Sequence, residues 1–334
     1  MVDLDAIKDI LREEKPGFVE GLAAKARSLT EAHFGRVISL YAPLYLSNYC
    51  DSVCVYCGFN NRNKKIFRRK LAPADIEGEM KIISERGIQN ILLLTGESPK
   101  ETPPEYLLAA VEIGKKYFPS IDIEVEPLAR DDYRRLRDGG VDGLAVYQET
   151  YDRDVYAKVH LEGKKRDYDY RYQTPRRAAE AGIRRISMGV LLGLADVADD
   201  IYNLFCHLRQ MQRDYPGVEY SLSFPRVNAL QGRKLKFQSV SDLIFVKLIC
   251  LARVLFPSVG INLSTRETPS IRNHAIYFGV TRISAASSTR VGGYVLPGED
   301  DTQFDIHDHR SVAEIVRALK EGDLDPVFTD WRRL

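Results

Sequence analysis

This 334-residue sequence has a small net charge, no long apolar run and few cysteines. The formal net charge is only +1, with Lys and Arg spread along the chain, so we expect no nucleic-acid partner. No apolar run approaches the roughly 20 residues that a membrane span needs, and the N-terminus lacks the charged and apolar regions of a signal peptide. These absences argue against membrane and nucleic-acid functions and predict a cytoplasmic globular protein.

The few cysteines are unevenly distributed, and this is the most informative feature of the sequence. Cys50, Cys54 and Cys57 lie within eight residues in a C-x3-C-x2-C pattern, and an aromatic residue precedes the last of them. Cys206 and Cys250 lie inside apolar helical patterns, so we predict that both are buried free thiols. Thiolates as close in sequence as the first three are expected to converge on one centre.

Three kinds of centre compete for these thiolates. A disulfide is disfavoured, because three cysteines cannot pair off and the chain has the features of an intracellular protein. Structural zinc would need a fourth ligand at a suitable spacing, and the nearest histidines are His33 and His160. A 4Fe-4S cluster fits three thiolates and keeps its fourth iron free of protein ligands, so that this iron can bind something else.

The rest of the chain alternates short apolar runs with helical patterns, which predicts an α/β fold with a parallel sheet. We predict strands at residues 37–46, 90–94, 121–125, 143–147, 185–192, 219–224, 260–264 and 280–285. Eight such units in about 250 residues predict a closed (β/α)8 TIM-type barrel. Residues 4–33 predict two helices, so we divide the chain into an N-terminal helical extension, residues 1–36, and a barrel, residues 37–334.

Polar residues follow nearly every predicted strand, at the end where a TIM barrel carries its active site. Individually each such residue is a weak signal, because helix capping and ion pairing place polar residues there in any α/β fold. Together they outline one mouth. They are Gly96 and Glu97, Glu126, Gln148 and Glu149, Arg226, Thr265 to Glu267, and Ser287.

The cysteine pattern resembles the signature of the radical S-adenosylmethionine superfamily. Within it, the chain resembles the 2-iminoacetate synthases, which are the tyrosine lyases of thiamine thiazole synthesis, from about residue 17 to Trp331. Further segments carry this resemblance, namely residues 42–48, 94–97, 146–151, 221–226, 263–267 and 292–294. The resemblance implies a TIM barrel that holds a 4Fe-4S cluster and S-adenosyl-L-methionine, and that cleaves the Cα–Cβ bond of L-tyrosine.

The resemblance also implies roles for residues that bind the cofactors. Cys50, Cys54 and Cys57 would ligate the cluster. Gly96 and Glu97 would hold the ammonium group of S-adenosylmethionine, since a carboxylate and carbonyl oxygens suit a cation. Glu126, with Gln148 or Glu149, would contact its ribose or ammonium, and the sequence does not decide among these three. Arg171 would grip its carboxylate, although the neighbouring Lys164, Lys165 and Arg166 make a solvated arginine a serious rival.

For the substrate, the resemblance implies that Arg266 binds the carboxylate of the amino acid, with help from Thr265 and Ser287. Tyr41, Tyr45, Arg226 and Asn228 are candidates for contacting the phenol oxygen, and the sequence does not choose among them. The implied partners are a thiazole synthase that consumes the imine and an electron donor such as flavodoxin or ferredoxin.

Rival functions stay open at this point. A lyase for tryptophan or another aromatic amino acid would use the same motifs. The tyrosine lyase that matures iron-only hydrogenases shares the barrel but carries a second cysteine set, whereas no cysteine follows Cys250 here. A non-catalytic iron-sulfur or zinc protein would leave S-adenosylmethionine intact, and the array of polar strand ends argues against it.

Overall fold

The computed structural model describes residues 3–227, 237–296 and 302–329. Eight of the strands in these residues form a closed parallel barrel in the order β1, β3, β4, β5, β7, β8, β9 and β10, with β10 pairing back to β1. This confirms the predicted TIM-type fold. The strands are β1 (Val37–Ser47), β2 (Val53–Cys54), β3 (Asn90–Thr95), β4 (Ser120–Glu124), β5 (Gly143–Glu149), β6 (His160–Glu162), β7 (Arg185–Val190), β8 (Glu219–Ser223), β9 (Gly260–Leu263), β10 (Arg282–Ser284) and β11 (Asp325–Val327).

Helices connect the barrel strands and form the outer layer. The helix pair predicted within residues 4–33 is present, and these helices pack against the two that follow β7 and β8. The described helices are α1 (Leu4–Arg12), α2 (Pro16–Phe34), α3 (Pro73–Glu85), α4 (Pro104–Gly114), α5 (Arg130–Gly139), α6 (Arg153–Val159), α7 (Tyr168–Tyr172), α8 (Thr174–Glu180), α9 (Val197–Asp214), α10 (Asp242–Leu255), α11 (Pro269–Ala275) and α12 (Val312–Glu321).

The polar stretch after β5 has more structure than the sequence indicated. We predicted only a long polar connection before the helix at Thr174, whereas residues 153–172 form α6, β6, a short 3-10 helix and α7. Asp152 starts α6 because its carboxylate accepts hydrogen bonds from two backbone N–H groups of the first turn. β6 then pairs antiparallel with β2, inside the cysteine loop. The connection therefore lies directly on that loop.

The amino ends of the strands are filled by buried ion pairs. Asp122 on β4 lies 2.7 Å from Arg185 and 2.8 Å from Arg282, each measured from a carboxylate oxygen to a guanidinium nitrogen. Burial alone would raise the pKa of Asp122, but the two guanidinium groups lower it to about 2. This polar layer closes the barrel at one end and leaves space at the carboxyl ends.

One prediction about the remaining cysteines is wrong. Cys250 is buried as expected, but Cys206 is exposed. Both lie on apolar helices, and the difference is one of helical phase, because Phe205 and Leu208 of α9 face the core while Cys206 faces outward. In the described part of the chain, no helix is long and apolar enough to cross a membrane.

Candidate active site

A single large cavity opens at the carboxyl ends of the barrel strands. Its empty volume, counting the open space at its mouth, is about 1280 Å³. Its walls include ten of the twelve residues that the sequence analysis assigned to the site. These ten are Cys50, Cys54, Cys57, Gly96, Glu97, Glu149, Arg171, Thr265, Arg266 and Ser287. The polar strand ends therefore do converge on one mouth.

Glu126 and Gln148 are the two assigned residues that do not line this cavity. Gln148 lies between Tyr147 and Glu149 on β5, so its side chain points to the other face of the strand, into a small cleft beside Arg171 and His207. Glu126 is buried, and the nearest cation is Lys164, 3.8 Å from its carboxylate. Burial raises the pKa of Glu126 to about 7.

The cysteine loop is held by close backbone contacts. A Cβ atom on Gly96 would lie 2.9 Å from the carbonyl carbon of Tyr49 and still closer to its oxygen, so only glycine fits beside this loop. The backbone N–H of Asp51 donates to the carbonyl oxygen of Glu97 at 2.8 Å. Strand β3 and the loop are thus in direct backbone contact, which places Glu97 next to Cys50.

A half-buried arginine, Arg68, closes the loop from the other side. The guanidinium group of Arg68 donates hydrogen bonds to the backbone carbonyl oxygens of Asn48, Phe59 and Asn60. Asn48 and Phe59 flank the three cysteines in sequence, so one side chain joins the start of the loop to its end. Hydrogen bonds from a charged donor are stronger than neutral ones, and this clamp fixes the loop before any ligand binds.

The three thiols lie in the cavity wall, where Cys54 is buried and Cys50 and Cys57 are half-buried. Burial raises the pKa of the Cys50 thiol to about 12, and it also raises the pKa of Cys54 and of Cys57. Thiolates are the form that binds metal, so metal binding here must release protons. The neutral thiols of the metal-free loop are correspondingly poor nucleophiles.

His160 lies next to the cysteine loop but is not free to bind a metal. It pairs with Cys54 in the ladder of β2 and β6. Its two ring nitrogens are hydrogen bonded, one to the hydroxyl of Tyr56 at 2.7 Å and the other to the carbonyl oxygen of Tyr156 at 2.9 Å. Among the described residues, no three His, Cys, Asp or Glu side chains are grouped closely enough to hold a single metal ion. A cluster, by contrast, spreads its thiolates over separate irons.

Beside the cysteines lies a network of two buried acids and two buried bases. Glu97 is 2.8 Å from Arg171 and 3.8 Å from Lys165, and Glu149 is 2.7 Å from Lys165 and 3.7 Å from Arg171. Burial alone would raise the pKa of Glu149, but the charges of Lys165 and Arg171 lower it to about 2. All four side chains line the cavity, so the network presents fixed charges of both signs to a bound molecule.

Glu149 has an unusual backbone conformation. Its φ angle is +71°, in the left-handed region that non-glycine residues seldom occupy. The pairing of β5 with β7 shifts register between Tyr147 and Glu149, as it does at a β-bulge. The shift turns the Glu149 carboxylate into the cavity, and the strain is of the kind that is concentrated at functional sites.

The residues after β9 and β10 supply a second group of polar atoms. The guanidinium group of Arg266 lies over the ring of Phe304, 3.4 Å from its centroid, and forms no ion pair with any described residue. Burial lowers the pKa of Arg266. The hydroxyl groups of Thr95 and Ser287 are buried and lack a hydrogen-bond partner among the described residues, although both residues line the cavity.

These unpaired groups test whether the residues suit a bound cofactor and substrate. A buried hydroxyl or guanidinium without a partner costs free energy unless a ligand supplies one. Arg266 needs an anion such as a carboxylate, and the hydroxyls of Thr95 and Ser287 need polar atoms. With three thiols in the same cavity, the donor set fits both an iron-sulfur cluster and a zwitterionic amino-acid group.

The candidates for contacting the phenol oxygen of the substrate lie in different parts of the structure. Tyr41 and Tyr45 line the cavity, and the Tyr45 hydroxyl donates to the side-chain oxygen of Gln303 at 2.7 Å. Arg226 does not line it and instead pairs with Glu267 and Asp242. Asn228 lies outside the described residues.

Sequence reasoning missed two charged residues of the site. Lys165 lies in a Lys/Arg run to which we assigned no role, but its ammonium group lies between Glu97 and Glu149. Glu124 is the last residue of β4 and lines the cavity, and its burial raises its pKa to about 7. The sequence could have indicated Glu124, because side chains of a strand alternate between its two faces. Ile121 and Ile123 are buried on one face, so Glu124 lies on the opposite face.

A closed (β/α)8 barrel with three cysteines and a buried charge network in its mouth defines a radical S-adenosylmethionine enzyme. Residues 44–205 match the family model described as the radical SAM superfamily, and residues 223–325 match the biotin and thiamin synthesis associated domain. Enzymes of this class use a 4Fe-4S cluster and S-adenosylmethionine. The two models together span the barrel described above.

Comparison with individual proteins narrows the class. Over 328 residues the chain is 38% identical to the 2-iminoacetate synthase of Salmonella typhimurium and 39% identical to that of Escherichia coli. Each alignment covers 98% of this chain and 87% of the relative. The chain therefore belongs to the 2-iminoacetate synthase family of radical S-adenosylmethionine enzymes.

A solved structure shows the same fold. The crystal structure of the FeFe-hydrogenase maturase HydG from Carboxydothermus hydrogenoformans superposes with a TM-score of 0.91 and 34% sequence identity. The match covers 98% of this chain and 76% of that chain. This similarity agrees with the rival function considered above, but identity to the curated 2-iminoacetate synthases is higher and extends over more of their length.

Proposed function

We propose that this chain cleaves the Cα–Cβ bond of L-tyrosine to 2-iminoacetate and p-cresol, with 5'-deoxyadenosine and methionine as co-products, for thiamine thiazole synthesis. The observation that carries the proposal is one cavity that holds three cysteine thiols together with a half-buried arginine, Arg266, which forms no ion pair with a described residue. The thiols suit the cluster, and the arginine suits the carboxylate of an amino acid. We choose this particular reaction because the chain belongs to the 2-iminoacetate synthase family.

The residues of one part of the cavity would hold the cofactors. Cys50, Cys54 and Cys57 would ligate the cluster, and Glu97 would accept hydrogen bonds from the ammonium group of S-adenosylmethionine. Arg171 already pairs with Glu97, so it would bind the neighbouring carboxylate of the cofactor with its remaining N–H groups. When bound, these groups supply the 5'-deoxyadenosyl radical that removes a hydrogen atom from the substrate.

Glu149 replaces Gln148 and Glu126 as the candidate for the ribose hydroxyls of the cofactor. Its carboxylate lines the cavity, whereas the other two side chains do not. Two cations keep this carboxylate ionised, so it can only accept hydrogen bonds, which suits a pair of hydroxyl donors. The left-handed backbone of Glu149 fixes its direction before the cofactor arrives.

The chain's contribution to the reaction is to orient the substrate and to exclude water. Arg266 would bind the substrate carboxylate, with Thr265 and Ser287 as further hydrogen-bonding groups, and so hold the α-amino group towards the cofactor. The ring of Phe304 keeps the guanidinium plane of Arg266 in place. Tyr41 and Tyr45 line the same cavity and are the remaining candidates for the phenol end. Water exclusion matters because an imine hydrolyses readily.

The partners follow from this chemistry. The cluster needs an electron from a donor such as flavodoxin or ferredoxin, and a thiazole synthase would consume the imine. A reduced cluster and free thiols are compatible with the reducing cytoplasm, where we place the protein.

The direct test is anaerobic. The cluster is reconstituted, S-adenosylmethionine, dithionite and L-tyrosine are added, and 5'-deoxyadenosine and p-cresol are followed by mass spectrometry. We expect both products from the wild-type protein, neither from Cys54→Ala, and both from the matched control Cys206→Ser, because Cys206 is exposed and lies outside the cavity.

The two products separate the possible failures. If 5'-deoxyadenosine forms without p-cresol, tyrosine is the wrong substrate and tryptophan is tried next. If a verified 4Fe-4S protein forms no 5'-deoxyadenosine, the proposal of a radical enzyme is wrong.

A further inference from the structure

The small net charge of the chain conceals a strong local concentration of positive charge. Residues 61–70 contain six Lys and Arg and no acid, and residues 157–166 contain four Lys and Arg and one acid, Glu162. These two segments therefore carry nine net positive charges, although the whole chain carries only +1, so the remaining residues are net negative by eight. A positive region on an otherwise negative protein can steer a negatively charged partner to that part of the surface.

The two segments lie side by side on the outside of the cysteine loop. Glu162 of β6 pairs with Val53 of β2, and its carboxylate forms an ion pair with Arg62. A Cβ atom on Gly163 would lie 2.5 Å from the Cα atom of Ser52, so this backbone rests directly on the loop. Both segments thus border the same stretch of chain, between Cys50 and Cys54.

Most of these cations point to solvent. Arg68 and Lys165 point inward, to the loop carbonyls and to the acid network, and they are not part of the surface. Phe67 is 64% exposed within the first segment, and Leu161 is 37% exposed within the second. We call the exposed set the basic rim; it consists of Arg62, Lys64, Lys65, Phe67, Lys70, Lys158, Leu161, Lys164 and Arg166.

Few acids offset the basic rim. Glu162 pairs with Arg62, Glu101 pairs with Lys70, and Glu126 lies 3.8 Å from Lys164. Asp51 and Asp167 are also exposed nearby in sequence. Even with these acids counted, cations remain in excess, and two exposed apolar side chains lie among them.

We propose that the basic rim is the docking surface for a small acidic electron-transfer protein that reduces the cluster. This inference rests on the proposed function, because it requires a cluster at Cys50, Cys54 and Cys57. Electron transfer needs a short path, and the rim covers the backbone of the very loop that carries these cysteines. Encounters between redox proteins are weak and small, and they depend on opposite charges with a few apolar contacts. The rim offers that combination.

The test measures reduction of the cluster rather than turnover. Reconstituted protein is mixed anaerobically with flavodoxin hydroquinone in a stopped-flow instrument, and the loss of cluster absorbance gives a second-order rate constant. The rim variants are the double substitutions Lys64→Glu with Lys65→Glu and Lys158→Glu with Arg166→Glu. Dithionite, a small diffusible reductant, serves as the reference for each protein.

The matched control reverses two exposed charges far from the loop. Arg317 and Lys320 are exposed on α12, which leads into β11, and β11 pairs with the amino end of β1 at the opposite end of the barrel. We expect each rim variant to lower the flavodoxin rate constant on the order of tenfold at low salt and to flatten its salt dependence. Reduction by dithionite and the p-cresol formed with dithionite should not change.

Two results would overturn the docking proposal. One is a flavodoxin rate that the rim variants do not alter, and the other is a loss of equal size in the Arg317→Glu, Lys320→Glu control. Either result would mean that the basic rim does not guide the electron donor to the cluster. The proposed function fails separately, if wild-type protein reduced by dithionite forms no p-cresol.

Discussion

Replacing Gly96 by alanine should prevent assembly of the cluster while leaving the barrel folded. The added Cβ atom would meet the carbonyl group of Tyr49 and lie 3.1 Å from the Cβ atom of Cys50. Backbone atoms cannot rotate away as a side chain can, so either β3 or the cysteine loop must move. Overpacking of this kind costs roughly 1–3 kcal/mol, and the loop is the part that shifts, because β3 is fixed by strands on both sides.

The assay has two readouts. The iron and sulfide content after anaerobic reconstitution shows whether the loop can still assemble the cluster. The melting temperature of the metal-free protein shows whether the barrel is still stably folded. We expect a large loss of bound iron together with a modest fall in melting temperature. Gly78→Ala is the matched control, since a Cβ there meets nothing within 4 Å and lies inside α3, where alanine is favoured by up to about 1 kcal/mol. A Gly96→Ala protein that binds a full cluster would refute the reasoning.

Three further predictions concern buried charges and thiols. Because its pKa is lowered, ionised Asp122 should contribute roughly 2 kcal/mol to the free energy of unfolding above pH 4, and this contribution should be lost as the pH falls towards 2. Urea denaturation from pH 2 to 5 should therefore show a free energy of unfolding that depends less on pH in Asp122→Asn than in wild type. An equal pH dependence in the two proteins would contradict this. Lys165→Met leaves Glu149 buried without its nearest cation and should cost roughly 3–5 kcal/mol, whereas a stability equal to wild type by urea denaturation would show that the pair is not needed. In metal-free protein at pH 8, iodoacetamide should modify exposed Cys206 well before buried Cys54, and mass spectrometry showing the reverse order would mean that the loop opens.

The barrel could be predicted because its strands obey a simple rule. A strand that is covered on both faces is largely apolar, and residues 91–94 show this clearly. The cysteine loop was equally plain, since its signal lies in spacing alone. The eight strands and the position of the loop at their carboxyl ends therefore needed no knowledge of tertiary contacts.

The details of the charge network could not be read in the same way. Whether Gln148 or Glu149 faces the cavity depends on the register shift in β5, which a local pattern does not reveal. Lys165 lies among other cations in the sequence and drew no assignment, and it reaches Glu149 only because β6 pairs with β2. Such placements depend on contacts between distant parts of the chain.

The contacts of the cysteine loop also bear on how the protein matures. Gly58 donates its backbone N–H to the carbonyl oxygen of Gln303, 245 residues further along the chain, and Ser52 accepts a hydrogen bond from the backbone of Lys165. During synthesis these partners emerge long after the cysteines do. The loop therefore reaches its final shape only when almost the whole barrel is made, so the geometry that would hold a cluster is a property of the nearly finished fold.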